Sequence, residues 1–167
     1  MQNIWLLLRG PYHAFLAQLR EELAQEGFPD VYPTHMGCVF AHMPPQGAHL
    51  SELAERAGLR KQTIAYFVDY LEARGYVERL PDPADRRAKL IRPTERGKAV
   101  DRVARHAIAR IQKNWTEMLG SARMGELQDL LETLNEVLAE AGVSDDVQTW
   151  QDVGRTVESV PETTDAV

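Results

Sequence analysis

Apolar residues recur along this chain at spacings of three and four in six stretches, and partly alternate with charged residues in two short ones. Between about Asn3 and Glu26, residues Tyr12, Phe15, Leu16, Leu19 and Leu23 are separated by Gln18, Arg20, Glu21 and Glu22. This is the pattern of an amphipathic helix with one buried face. Gly27-Phe28-Pro29-Asp30 ends it, and Pro33-Thr34 opens a shorter helix with Thr34 as the expected N-cap and Met36, Val39, Phe40 and Met43 on one face. Pro44, Pro45 and Gly47 break the chain again. A third helix is expected to begin near His49-Leu50-Ser51, where Ser51 can cap, with Leu53, Ala54 and Ala57 packing inward, and it stops at Gly58, a residue suited to a left-handed helix end.

Gly58-Leu59-Arg60 is short enough to force a tight angle before the next helix, Lys61 to Arg74, so the two helices form a helix-turn-helix unit. Within the second of them, Ile64, Phe67, Val68 and Leu71 make the core stripe. Lys61, Gln62, Ala65, Tyr66, Asp69 and Tyr70 fall largely off it, and this mixture of cation, amide, small side chain and phenol suits phosphate and base-edge contacts. Tyr76 to Leu80 and Lys89 to Arg92 read as strands of a hairpin whose turn is rich in Pro and Asp. Pro93 closes the second strand, and Thr94 caps a long helix reaching about Leu119. After Gly120 to Gly125, a last helix carries Leu127, Leu130, Leu131, Leu134, Val137 and Leu138 and ends at Gly142. Two leucine-rich helices of this kind hold more apolar surface than one small domain covers, so they ask for a partner.

Charge changes the picture only when it is split by position. The net charge is −6, yet residues 50–110 hold 14 Lys and Arg against 9 Asp and Glu, leaving 5 against 16 elsewhere. Phosphate binding depends on the cations that meet phosphates, so an acidic scaffold bearing a basic face is compatible with DNA. From 143 to 167 six acids face one base, Arg155. An acidic tail is expected there, mobile or weakly helical, with Ser144 able to cap a helix bearing Val147, Trp150, Val153 and Val157.

The early run Ile4 to Leu8 is cut by Arg9, Gly10 and Pro11, well short of the ~20 apolar residues of a membrane span. No cleavage pattern follows, and the one cysteine, Cys38, provides no disulfide framework, so the expectation is a soluble cytoplasmic protein. No glycine-rich phosphate loop, nucleophile elbow, HExxH or convergent carboxylate pair is present, and no enzyme, metal site or cofactor is expected.

The segment 50–97 resembles the MarR family, the multiple antibiotic resistance regulators, which are winged helix-turn-helix transcription factors. The resemblance rests on Leu53-Ala54, Lys61-Gln62-Thr63-Ile64, Leu71-Glu72-Ala73-Arg74-Gly75-Tyr76-Val77, Asp82-Pro83-Ala84-Asp85-Arg86-Arg87 and Thr94-Glu95-Arg96-Gly97. Arg60 stands where the family usually has a Ser or Thr cap, and Pro93 where Leu is common. The resemblance implies a mainly α winged helix in an α+β arrangement, with flanking dimerisation helices. The corresponding divisions are a dimerisation helix over 1–32, a winged helix-turn-helix over 33–97, dimerisation helices over 98–142 and the tail over 143–167.

It further implies a homodimer, probing double-stranded DNA as a repressor at a pseudo-palindromic operator. The expected DNA contacts are Arg60, Lys61, Gln62, Thr63, Tyr66 and, at the margin, Tyr70, with Gln62 suited to bidentate adenine readout. Arg86 and Arg87 would enter or line the minor groove from the wing, with Lys89 at its base. Members of the family respond to small molecules, often aromatic acids or phenols, and Tyr12, His13, His35, Cys38 and His42 are the candidates for such an effector pocket. His35, Cys38 and His42 lie three and four apart and are expected to project beside the apolar stripe of the second helix. A rise of ~1.5 Å per residue leaves His35 and His42 roughly 10 Å apart, so only adjacent pairs could chelate. Cys38 beside His42 could form a reactive thiol, although a lone cysteine among apolar neighbours is ordinarily inert packing. The alternative class is a winged-helix module that docks a protein without reading DNA.

Overall fold

A computed structural model describes residues 3–83, 85 and 88–142. The first helix, α1 (Ile4–Gln25), is capped by Asn3, whose Oδ1 accepts the Leu6 N–H at 3.1 Å. Its second half buries Leu19 and Leu23 against α5 (Glu95–Leu119), where Val100, Ala104, Ala107 and Ile111 form the facing stripe. Phe15 meets Trp115 edge-on at 6.0 Å, and Glu22 pairs with Arg110, so the two long helices are joined by apolar and ionic contacts.

The second helix, α2 (Pro33–Cys38), begins two residues before a cap at Thr34 would place it. Tyr32, not Thr34, is the N-cap, because Pro33 takes the first helical position and holds the preceding residue extended, at φ −94° and ψ 151°. The chain then tightens into a 3-10 turn over Phe40–His42. A two-residue strand, β1 (Ala48–His49), follows and leads into α3 (Leu50–Ala57). Here too the cap differs from expectation: His49 fills the position instead of Ser51, and its N–H donates to Glu52 at 2.8 Å.

The fourth helix, α4, spans Lys61–Ala73, and β2 (Val77–Pro81) and β3 (Lys89–Pro93) form the anticipated hairpin. β1 adds itself to that hairpin, giving a three-stranded antiparallel sheet of order β1-β3-β2 with Ala48 opposite Ile91 and Arg79 opposite Ile91 on the other side. Ile64, Val68 and Leu71 of α4, Leu53 of α3, and Val77 and Ile91 of the sheet close one core with Val39 and Phe40. Tyr76, the largest fully buried side chain, stands where the sheet, α4 and α5 meet.

Thr94 caps α5 as its sequence suggests, accepting the Gly97 N–H at 3.1 Å and donating to the Gly75 carbonyl at 2.6 Å. Gly97 is required by close approach: a Cβ built there would lie 2.0 Å from the Tyr76 carbonyl oxygen. The last helix, α6 (Ser121–Glu140), starts directly after Gly120 rather than beyond Gly125. Only Met124 of α6 is buried; Leu127, Leu130, Leu131, Leu134, Val137 and Leu138 are exposed, as are Ile4 to Leu8 of α1 and Met118 of α5. An apolar helix face of this extent has no covering among the described residues. None of the helices among the described residues is long and apolar enough to cross a membrane.

Candidate nucleic-acid interface

Gly58 has φ +65°, and the Gly58 and Leu59 N–H groups donate to the Glu55 and Ala54 carbonyls at 3.1 and 2.9 Å. This double closure ends α3 abruptly and lets α4 start only two residues later. Arg60 is the N-cap of α4 in extended conformation, and its side chain makes no capping bond. In place of a side-chain cap, the Arg60 carbonyl accepts the Thr63 and Ile64 N–H groups at 3.0 and 3.2 Å.

α4 divides sharply by face. Ile64, Val68 and Leu71 are sealed inside, whereas Lys61 and Gln62 are exposed and Tyr66 retains 62% of its accessible surface. Thr63 departs from expectation. It is 6% exposed and turned inward beside Ile64, because the apolar stripe is broad enough to include the position before it. Tyr70 is likewise drawn inward: its hydroxyl donates to the Asp30 carbonyl at 2.8 Å and its ring stacks on His35 at 4.6 Å. The outward surface of the helix thus consists of Lys61, Gln62 and Tyr66, followed by Asp69.

Two carboxylates near that surface are neutralised locally. Arg79 of β2 reaches across to Asp69, at 2.6 Å, and to Glu72. Repulsion between these acids and a polyanion is correspondingly reduced. At the wing, the Asp82 N–H donates to the Ala88 carbonyl at 3.2 Å, and the Asp82 carboxylate lies 2.7 Å from His49 Nε2. His49 therefore ties the start of the wing turn to the cap of α3, a contact between residues 33 positions apart that no local pattern encodes. Lys89 is exposed at the first position of β3. Arg86 and Arg87, expected as the wing's contacts, lie outside the described residues, as does the segment 143–167.

The residues considered for an effector pocket lie on separate elements. Tyr12 and His13 sit on α1 with ring centroids 5.8 Å apart, Cys38 is half-buried at the end of α2, and His42 is half-buried on the 3-10 turn. His35 corrects the expectation most clearly, being 4% exposed instead of projecting outward. Its Nδ1 accepts the Tyr32 N–H at 3.1 Å, and its ring packs among Tyr32, Phe67 and Tyr70. Burial, reinforced by the Arg74 charge and opposed by Asp30, lowers its pKa to about 4. Among the described residues no three His, Cys, Asp or Glu side chains are arranged to hold a metal ion.

Beneath α4 lies a second grouping that periodicity alone would not find. The Asp30 carboxylate accepts the Tyr76 hydroxyl at 2.5 Å and lies 3.5 Å from Arg96 and 4.0 Å from Arg74. Arg74 stacks over Tyr70 at 3.5 Å and Arg96 over Tyr76 at 4.2 Å. These residues come from the α1–α2 loop, α4, the start of β2 and α5.

A helix-turn-helix whose second helix presents a polar face, followed by a sheet-borne wing, defines a winged-helix protein. The MarR family model matches residues 39–88, the stretch containing the turn, α4 and most of the wing. Over those residues the chain is similar to the MarR family of winged-helix regulators. Among solved structures, CouR from Rhodococcus jostii RHA1 bound to p-coumaroyl-CoA is 27% identical, with 80% of this chain and 92% of that chain covered and a TM-score of 0.61. A MarR-family regulator from Rhodococcus sp. RHA1 is 25% identical over 78% of this chain and 91% of that one, with a TM-score of 0.61. CouR bound to a 23-mer DNA duplex matches in fold at 22% identity and a TM-score of 0.66, covering 80% and 92%. No curated protein sequence matches the chain.

Proposed function

We propose that this protein is a cytoplasmic, homodimeric regulator of transcription that binds a pseudo-palindromic operator and represses from it. It acts by binding rather than by catalysis. The observation that carries this reading is the division of α4 into a sealed inner stripe and an outer surface of Lys61, Gln62 and Tyr66. Gln62 offers the donor and acceptor needed for bidentate contact with adenine, Lys61 and Arg60 bring cations to phosphate or guanine, and Tyr66 adds an apolar face with a hydroxyl. Arg86 and Arg87 contribute minor-groove contacts and Lys89 a phosphate contact at the base of the wing.

Dimerisation uses helices from 1–32 and 98–142, whose uncovered leucines favour a second copy of the chain. It sets the two α4 helices about one DNA turn apart, ~34 Å, which makes the operator two-fold symmetric. An aromatic or phenolic acid modulates affinity. The likeness to CouR, solved with p-coumaroyl-CoA, supports that class. Tyr12, His13, Cys38 and His42 remain the candidates for contact with it, while His35 is engaged inside the fold.

A fluorescence anisotropy titration against the DNA flanking the gene, with unrelated duplex as competitor, tests the reading. Preferential binding of the flanking DNA is expected; equal affinity for both at physiological salt would instead favour a protein-docking module. Arg87→Ala should lower the salt slope by roughly one counterion unit per half-site, and an unchanged slope would remove the wing from the interface.

A further inference from the structure

We infer that Asp30 is a positioning residue for DNA recognition: its carboxylate, shared between α4 and α5, fixes the angle of the reading helix on the scaffold and thereby the half-site spacing the dimer accepts. The inference rests on the proposed function as a dimeric DNA reader. Asp30 belongs to neither element that it joins, lying in the loop between α1 and α2. Its backbone carbonyl accepts the Tyr70 hydroxyl from α4 at 2.8 Å, while its side chain accepts the Tyr76 hydroxyl at the root of the wing at 2.5 Å. The same carboxylate stands 3.5 Å from Arg96 in the first turn of α5 and 4.0 Å from Arg74 at the end of α4.

The two arginines are themselves connected. Arg96 donates to the Arg74 carbonyl at 2.8 Å, closing the C-terminus of α4 with a cation whose own helix is the scaffold. Each guanidinium is clamped on a tyrosine ring that Asp30 also holds, Arg74 on Tyr70 and Arg96 on Tyr76. One carboxylate thus sits between two positive charges. Without its charge, Arg74 and Arg96 repel with less compensation, and the end of α4 loses its fixed register against the start of α5. A change at this pivot is transmitted along α4, whose outer residues run from Tyr66, eight positions before Arg74, to Lys61, thirteen before it.

Spacing selectivity separates this role from general stabilisation. Wild-type protein would select sites from a randomised duplex pool, and one enriched site would be remade with a base pair inserted or removed between its half-sites. Asp30→Asn keeps an acceptor for Tyr76 and removes the charge. It is expected to lower the ratio of affinities for correctly and incorrectly spaced sites by about fivefold. Arg96→Gln, which leaves the Asp30–Tyr76 bond in place, should shift the ratio in the same direction and carries the test should Asp30→Asn fail to fold. Ile111→Val, a trim in the α1–α5 core, is expected to lower stability without altering the ratio. Unchanged selectivity in a folded Asp30→Asn or Arg96→Gln protein overturns the inference, as does an equal loss in Ile111→Val. If the wild type enriches no site, the DNA-reading proposal itself falls and takes the inference with it.

Discussion

Acid should loosen this fold through one imidazole, His35. The ring is 4% exposed and has a pKa lowered to about 4 from an ordinary 6.5, first by burial and then by Arg74, with Asp30 acting in the opposite sense. Between those two values the unfolded chain binds a proton that the folded chain refuses. Its contribution to stability is therefore complete above about pH 6.5 and is lost as pH falls toward 4. At ~1.4 kcal/mol per unit, the full difference amounts to about 3 kcal/mol, and the loss reaches about 2 kcal/mol by pH 5. That is a large share of a typical domain's ~5–15 kcal/mol.

The geometry explains the sign. Nδ1 accepts the Tyr32 N–H at 3.1 Å, so protonation there would set two donors against each other and place a charge among three aromatic rings. His35→Asn supplies a carbonyl acceptor in a similar place without a titrating group. Urea unfolding at fixed protein concentration from pH 7.5 to 4.5 should give a wild-type stability that falls more steeply than the variant's below pH 6.5. Parallel curves for the two proteins would refute the assignment.

Gly97→Ala should lower the thermal midpoint by about 5 °C, because a Cβ meeting the Tyr76 carbonyl at 2.0 Å forces backbone apart at a cost exceeding the ~1 kcal/mol of helix propensity gained; a raised midpoint in a melting scan would show that propensity wins. Leu130 and Leu134 lie one turn apart on the uncovered face of α6, Leu130 retaining 69% of its surface. Changing both to Glu should weaken self-association by about 10³-fold, since burying each leucine is worth ~1.5–3 kcal/mol, and sedimentation equilibrium would detect it. Dimerisation of the double variant at wild-type strength would exclude this face.

The long helices and the hairpin were legible because each repeats its apolar spacing for several turns or strand positions. Phase was lost where elements are short. Six residues of α2 provide less than two turns, and placing the cap at Thr34 instead of Tyr32 rotates the reading of the helix; His42, beyond its end, no longer follows α-helical spacing. His35 consequently read as an outward ligand candidate when it is an inward cap. β1, two residues after a proline-rich break, is too short to display alternation, and its presence moves the cap of α3 back to His49. In α4 the polar identity of Thr63 suggested contact, yet its position beside Ile64 on a broad stripe places it inside. The Asp30 cluster joins residues up to 66 positions apart, a relation that no local pattern encodes. The Glu three residues after His49 was a readable signal for the cap, since a side-chain acceptor at that spacing commonly bonds back to the cap N–H.

If the outer surface of α4 reads base sequence, the combined Lys61→Ala, Gln62→Ala and Tyr66→Ala protein should bind DNA without discriminating between sequences. All three side chains are exposed, so the fold should persist by circular dichroism. Anisotropy titrations against an enriched duplex and an unrelated one then give the specificity ratio. The ratio should fall by at least about 10²-fold toward unity, as loss of base contacts worth ~1–3 kcal/mol each requires, while weak binding to both duplexes remains. A folded triple variant with the wild-type ratio would contradict that reading.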